Sequence, residues 1–334
     1  MSENSRIGVL GGGSWATAIV KLLSENLVKE NSINWYMRNS NSIEFIREHN
    51  RNPKYISSVE LNNKLIYLSN DINEVISRSD VLIWAIPSAF LKSALAEVKV
   101  EIKDKIIVSA IKGIVPDDNL IIAEYFNQAF QVPLESTVVI AGPCHAEEIA
   151  LERLSYITIA CQDLLKAEFV ANLMETRYVK TSISDDIYGT EYSAVLKNVF
   201  AISAGICHGL SYGDNFQAVL ISNAIQEIKR FVDTVHPITR DIKSSVYLGD
   251  LLVTAYSKFS RNRTFGLMIG NGYSVQAAQL EMNMVAEGYY AVKCIYQINS
   301  RYNIYMPITE AIYNILYQGK PPAFEIKLLT DKLR

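Results

Sequence analysis

Arg6-Ile-Gly-Val-Leu10-Gly11-Gly-Gly13-Ser14-Trp15-Ala16, running on into Thr17-Ala-Ile-Val-Lys-Leu-Leu-Ser24, says more about the architecture than any other part of this 334-residue chain. A short apolar run, a glycine-rich turn and a segment of helical period stand in immediate succession. The turn matches G-x-G-x-x-(G/A) in the strand–turn–helix setting that the pattern requires, so it reads as a dinucleotide-binding fingerprint. Gly11 makes the tight turn, Gly13 lets the backbone approach a pyrophosphate, and the small Ala16 lets helix and strand pack closely. The phosphates would rest at the helix N-terminus, where free N–H groups and the dipole favour an anion. A glycine-rich turn can be purely structural, but the flanking strand and helix weigh against that here.

Working outward, Ile33-Asn-Trp-Tyr-Met37 is the next strand and should end near the adenosine ribose. A chain selective for NAD(H) usually carries an acidic residue there. Arg38, followed by Asn39 and Ser40, can instead hold a 2′-phosphate, so the residue choice favours NADP(H) over NAD(H). Val81–Ala85, Ile106–Ala110 and Thr137–Ala141 are near-continuous apolar strands, as expected in a parallel sheet covered on both faces. Their following loops carry Ile86-Pro87-Ser88, Lys112 and Gly142-Pro143-Cys144-His145-Ala146. Ligands gather beyond the carboxyl ends of such strands, which places Lys112 where it can meet a phosphate or a reacting oxygen. Tyr156–Ala160 and Tyr178–Thr181 are further strands flanking a helix over Leu164–Met174, and the sheet should finish near residue 185.

Beyond that point the chain turns helical. From Gly189 to Asn215, Tyr192, Val195, Leu196, Val199, Ile202 and Ile206 recur at helical spacing, so most of the stretch is one buried helix. Lys197 and Asn198 interrupt its apolar centre. A lysine there must snorkel to water, pair with a carboxylate or bind a polar ligand, because burying it alone is very costly. An adjacent amide favours a polar pocket cut into the helix. Residues 216–235, 242–257, 274–280, 284–299 and 307–318 read as further helices, with polar junctions at Gly249-Asp250-Leu251, Ser260-Arg261-Asn262-Arg263-Thr264 and Ala286-Glu287-Gly288. The fold class is thus an α/β Rossmann-like domain with a doubly wound, mostly parallel sheet over 1–188, followed by an all-α domain over 189–334.

Composition narrows the function. Hydrophobic residues make up 49% and charged residues 20%, typical of a globular protein. A net charge of −3 supplies no basic field for nucleic acid or an anionic membrane surface. No apolar run approaches the roughly 18 residues of a membrane span, and the first residues lack a signal-peptide layout. Cys144, Cys161, Cys207 and Cys294 are scattered, as are His49, His145, His208 and His236. That pattern suits reduced thiols in a cytoplasmic protein, with neither a disulfide framework nor a metal site expected.

Ten short stretches, in order, carry a family resemblance: Gly11–Ala18, Ala85–Ser88, Lys112–Ile114, Gly142–Ala150, Gly189–Asn198, Gly209–Asn215, Gly249–Leu251, Ser260–Gly266, Glu287-Gly288 and Met306-Pro307-Ile308. Together they resemble NAD(P)-dependent glycerol-3-phosphate dehydrogenase of the bacterial type, from Ile7 to about Leu329. The resemblance implies reduction of dihydroxyacetone phosphate to sn-glycerol 3-phosphate with NADH or NADPH, for phospholipid synthesis, by a homodimer. It implies that Lys197 is the catalytic lysine, Lys112 its partner near the substrate, and Asp250 the carboxylate that orients it. Gly142, Cys144, Asn198, Ser260, Arg261 and Asn262 would complete the substrate site. Ser14, Trp15, Arg38, Ala146, Val285 and Glu287 would contact the cofactor, with Gly11, Gly13, Lys112 and Arg261.

Three positions depart from the family pattern. Cys144 replaces the common serine, Ser222-Asn223-Ala224 replaces Thr-Arg-Gly, and Ala16 replaces the third glycine.

The residue types fit the chemistry. Negative charge builds on the carbonyl oxygen during reduction, and Lys197 can stabilise it and donate a proton. Lys112 nearby would ease loss of a proton from either ammonium, and Asp250 would oppose that. A substrate phosphate on Arg261 would supply binding energy away from the reacting carbon. The rival enzyme readings are a hydroxyacid, ketopantoate or 6-phosphogluconate-type reductase. A different class is an inactive dinucleotide-binding sensor, which would be expected to lack the set Lys112, Lys197 and Asp250.

Overall fold

The computed structural model of the protein describes residues 5–30, 32–282 and 286–334. They fall into two compact units. One takes in the chain as far as Ile111 together with Ile122–Ile187, and the other is made of Lys112–Ile121 and Tyr188–Arg334. The segment Lys112–Ile121, which lies between sheet strands in sequence, therefore clusters with the helices of the second unit.

The first unit is built on β1 (Ile7–Leu10), β2 (Ile33–Tyr36), β3 (Ile66–Ser69), β4 (Val81–Trp84), β5 (Ile106–Ser109), β6 (Thr137–Ala141), β7 (Ser155–Ala160) and β8 (Val179–Ser184). They form one sheet in the order β3-β2-β1-β4-β5-β6-β7-β8. Ile7 stands opposite both Ile33 and Val81, and the neighbours are parallel except β6 against β7. Every residue of β1, β2, β4 and β5 is buried, as their unbroken apolar character requires of parallel strands with both faces covered. β3 was not apparent from the sequence. Its four residues are a short Ile-Tyr-Leu-Ser run that gains strand character only by pairing with β2.

Helices α1 (Ser14–Asn26), α2 (Ser40–His49), α3 (Ile72–Ser77), α4 (Ser88–Leu95), α5 (Ile122–Phe130), α6 (Ala146–Ala150) and α7 (Leu164–Met174) connect these strands. The first of them, α1, buries Ala16, Ile19, Val20, Leu22 and Leu23, and it is longer at both ends than the apolar period alone predicts.

In the second unit α8 (Ile187–Gly209) buries Tyr192, Val195, Leu196, Val199, Ile202 and Ile206. It is followed by α9 (Asp214–Val235), a π-helical turn (Ser245–Gly249), α10 (Asp250–Tyr256), α11 (Arg261–Gly270), α12 (Val275–Glu281), α13 (Glu287–Tyr302), α14 (Pro307–Tyr317) and α15 (Pro322–Thr330). The single helix expected over 242–257 is thus a π turn leading into α10. A helix expected from residue 284 begins, as far as the described residues show, at Glu287. The donor-rich junction after Ser260 is the first turn of α11, concealed in sequence by two glycines, Gly266 and Gly270, that lower its helical signal.

Those glycines have a packing reason. A Cβ placed on Gly205 of α8 would lie 2.1 Å from the carbonyl oxygen of Arg263, and one on Gly266 would lie 2.1 Å from that of Ile202. Gly209 against Leu267 O (2.7 Å) and Gly270 against Ile206 O (2.4 Å) repeat the arrangement one turn on. Main chain therefore rests on main chain along α8 and α11. Gly288 does the same for α13, where a Cβ would meet Asn198 O at 2.6 Å.

All four cysteines are free and buried. Burial pushes the Cys207 thiol up to about 12 and that of Cys294 up to about 11, so neither is a reactive thiolate. Among the described residues no helix is long and apolar enough to cross a membrane.

Candidate active site

The charged residue that interrupts α8 finds a charged partner. Lys197 Nζ forms an ion pair with Asp250 Oδ1 at the first position of α10, and the two residues are 3% and 1% exposed. Of the alternatives for a lysine on an apolar helix, the structure takes pairing. A pair this deep depends on close geometry, because each ion has given up its hydration. Thr254, one turn further along α10, is also buried, and its Oγ1 donates to Asp250 O at 2.6 Å. Its D-x-x-x-T spacing was the only sequence signal for it.

Beside the ion pair runs a chain of amides. Asn198 Nδ2 donates to the main-chain oxygen of Lys112 (2.9 Å), and Asn198 Oδ1 accepts from Asn262 Nδ2 (2.9 Å). Asn262 Oδ1 accepts in turn from Gly288 N, also at 2.9 Å. Four segments remote in sequence are joined: the Lys112 segment, α8, α11 and the start of α13. Each asparagine already uses its oxygen and one amide hydrogen within the protein, which leaves the second hydrogen and the second lone pair of each amide for a ligand.

Ser260 is the N-cap of α11, its Oγ accepting from Arg263 N at 3.2 Å. Its hydroxyl oxygen caps the helix while its O–H remains able to donate to a ligand. Arg261 follows as the first helical residue and is exposed. An arginine beside the unsatisfied N–H groups of a helix start is a suitable anion site. Glu287 opens α13. Val285 lies outside the described residues. Asn223, the departure from Thr-Arg-Gly, bonds the main chain of Arg334 at 2.9 Å and 3.3 Å.

The dinucleotide fingerprint occupies the first unit. Gly11 has φ +129, and a Cβ there would sit 2.6 Å from Ala85 O, so the turn needs glycine. Around Gly13 a Cβ would meet nothing within 4 Å. That open space is what close approach of a ligand to the backbone requires. Gly13 is the N-cap of α1 and no side chain caps it, leaving the first-turn N–H groups around Ser14 and Trp15 for an anion. These features fit a nicotinamide dinucleotide. Arg38 is exposed just beyond β2, while Asn39 caps α2 through Ser42 N at 3.1 Å. Gly142 (φ +109) ends β6, and Cys144 Sγ donates to its carbonyl at 3.2 Å. Ala146 begins α6 and is buried.

Two further residues at this turn were not apparent from the sequence. Trp35 Nε1 donates to Gly11 O (2.7 Å), and Asn52 Nδ2 donates to Gly12 O (3.2 Å). Asn52 precedes a proline and reads in sequence as an ordinary turn residue.

Comparison with known proteins follows this division. The model of the NAD-dependent glycerol-3-phosphate dehydrogenase N-terminus matches residues 6–167, and that of its C-terminus matches 186–327. A glycerol-3-phosphate dehydrogenase [NAD(P)+] from Clostridium botulinum is 33% identical over 97% of this chain and 97% of its own. One from Carboxydothermus hydrogenoformans is 34% identical over 95% of this chain and 94% of its own. A crystal structure of the Coxiella burnetii glycerol-3-phosphate dehydrogenase superposes with a TM-score of 0.89 at 23% identity, covering 98% of this chain and 99% of that one, and shows the shared fold.

Proposed function

The chain belongs to the NAD-dependent glycerol-3-phosphate dehydrogenase family, and from that premise we propose how its own residues interconvert dihydroxyacetone phosphate and sn-glycerol 3-phosphate. The observation that carries the assignment of roles is the buried Lys197–Asp250 pair on α8 and α10. When bound, the reduced nicotinamide supplies a hydride to the ketone carbon.

Lys197 stabilises the negative charge that develops on the substrate oxygen and donates a proton to it, and in the reverse direction accepts that proton. Asp250 holds the lysine in place and favours its charged form. Lys112, its main chain fixed by Asn198, brings a second cation to the substrate. Arg261 and the first amides of α11 take the substrate phosphate, so binding energy comes from a group that does not react. Asn262 contributes its remaining amide hydrogen, and the family resemblance adds Gly142 and Cys144 as candidate substrate contacts.

The dinucleotide is held by Gly11, Gly13, Ser14 and Trp15, and the family resemblance adds Ala146, Glu287, Lys112 and Arg261 as candidate contacts. Arg38 is the 2′-phosphate ligand, which favours NADPH over NADH. Residues 1–188 form the dinucleotide domain and 189–334 the substrate domain, with Lys112–Ile121 contributing to the latter. The enzyme acts in the cytoplasm as a homodimer and supplies glycerol 3-phosphate to phospholipid synthesis.

The test is loss of reduced-cofactor absorbance with dihydroxyacetone phosphate, NADPH compared with NADH, for the unaltered chain and for Arg38→Ala. Turnover with a preference for NADPH that disappears in Arg38→Ala is expected. No turnover with either cofactor would overturn the role assignment, and an unchanged cofactor ratio would overturn that of Arg38.

A further inference from the structure

Three consecutive carbonyls of the glycine turn are each held by a side chain. Gly11 O accepts from Trp35 Nε1 at 2.7 Å, Gly12 O from Asn52 Nδ2 at 3.2 Å, and Gly13 O from Thr17 Oγ1 at 3.0 Å. Trp35, Asn52 and Thr17 are all 0% exposed. A trans peptide is planar, with its N–H opposed to its C=O, so fixing these three oxygens also fixes the N–H groups of Gly12, Gly13 and Ser14. They point away from the holding side chains, where consecutive amides form an anion-binding concavity.

Asn52 differs from the other two holders. Trp35 belongs to the sheet and Thr17 to α1, whereas Asn52 stands on the connection after α2. Its amide is used to the full. Nδ2 also donates to Thr17 Oγ1 (2.9 Å), and Oδ1 accepts from Lys54 N (3.1 Å) and Tyr55 N (3.2 Å). The donor to Gly12 is therefore locked from behind by two main-chain amides and joined to the holder of Gly13. The Gly12–Gly13 peptide joins two residues with wide conformational freedom, so a side-chain hold on its carbonyl restricts it where the chain itself does not.

We infer that Asn52 is a positioning residue for the dinucleotide, presetting the Gly12–Gly13 peptide so that its N–H faces the diphosphate. This rests on the family's cofactor assignment, and it concerns the diphosphate alone. Asn52 therefore acts equally on NADH, NADPH and any ligand sharing that group, and has no part in the choice between the two cofactors.

The experiment measures binding of NADH, NADPH and ADP-ribose by titration calorimetry to the unaltered chain, to Asn52→Ala and to Asn52→Asp. Asn52→Asp keeps the shape and the acceptor for Lys54 N and Tyr55 N but removes the donor, so it carries the test if Asn52→Ala fails to fold. The expected result is a common loss of affinity for all three ligands, on the order of tenfold, as for a hydrogen-bond partner left unsatisfied. The KM for dinucleotide should rise while turnover at saturating dinucleotide and the KM for dihydroxyacetone phosphate hold. Unchanged affinities with a lowered melting temperature would reduce Asn52 to a purely structural role and overturn the inference, as would a loss confined to NADPH. Failure of the unaltered chain to bind any of the three would overturn the cofactor assignment as well.

Discussion

Asn198 Nδ2 is bonded to the main-chain oxygen of Lys112, 2.9 Å away and 86 positions earlier in the chain. The bond ties the segment bearing one proposed catalytic lysine to the helix bearing the other. Asn198→Ala should lower kcat by about 10–100-fold, since small displacements of a catalytic group carry penalties of that size. Dinucleotide affinity, measured by calorimetry, should remain. A kcat equal to that of the unaltered chain would show that Lys112 is placed by other means.

Lys197 and Asp250 make opposite demands on stability and activity. Asp250→Leu alone removes the carboxylate that faces a buried ammonium and should cost about 3–5 kcal/mol in denaturant unfolding, with turnover lost. Lys197→Met combined with Asp250→Leu should recover most of that stability while remaining inactive. A double variant no more stable than Asp250→Leu would mean that the pair contributes more than charge compensation.

Gly13 separates ligand space from protein space. Because a Cβ there meets no protein atom, Gly13→Ala should change the melting temperature little and weaken NADH binding by at least about tenfold through contact with the phosphates. Tight binding by Gly13→Ala would place the diphosphate elsewhere.

Glu227 supplies a pH dependence remote from the site. This residue of α9 is fully buried and takes Ile308 N (3.0 Å), Thr309 N (2.9 Å) and Thr309 Oγ1 (2.6 Å) at the start of α14. Burial outweighs those donors and lifts its carboxyl from 4.5 to about 7. Between those values the unfolded chain has released the proton that the folded chain keeps, so stability falls as pH rises through the window and is unaffected below it. The unaltered protein should lose on the order of 3 kcal/mol across that window relative to Glu227→Gln. Equal slopes for the two proteins in thermal melts from acid to neutral pH would sink the assignment.

The dinucleotide turn and the anomalous Lys197-Asn198 were legible because each breaks a local rule: three glycines before a helix, and a charge inside an apolar stripe. Asp250 was legible from its own surroundings only as a polar residue in an apolar run; its role beside Lys197 came from the family resemblance, because the pairing itself is a tertiary fact. What escaped was mostly non-local. Asn52 and Trp35 matter through bonds to carbonyls of a distant turn, for which no spacing rule exists. β3 needs β2 to be a strand, and α11 pays for its tight fit with weak helical propensity, so both fell below any local signal.

The glycine seam between α8 and α11 limits how the protein can be hardened against heat. Alanine in place of Gly205, Gly209, Gly266 or Gly270 would each add about 1 kcal/mol of helix propensity in isolation. Here each added methyl would meet main chain, which cannot rotate aside as a side chain can. Spreading the helices would also stretch the Asn198–Asn262 bond that the seam brings together. The commonest route to a stiffer helix is thereby closed at the centre of the second unit. Gains must come from its periphery, such as Gly213, an N-cap without a capping side chain and with nothing within 4 Å, where serine would have room to bond the first turn of α9.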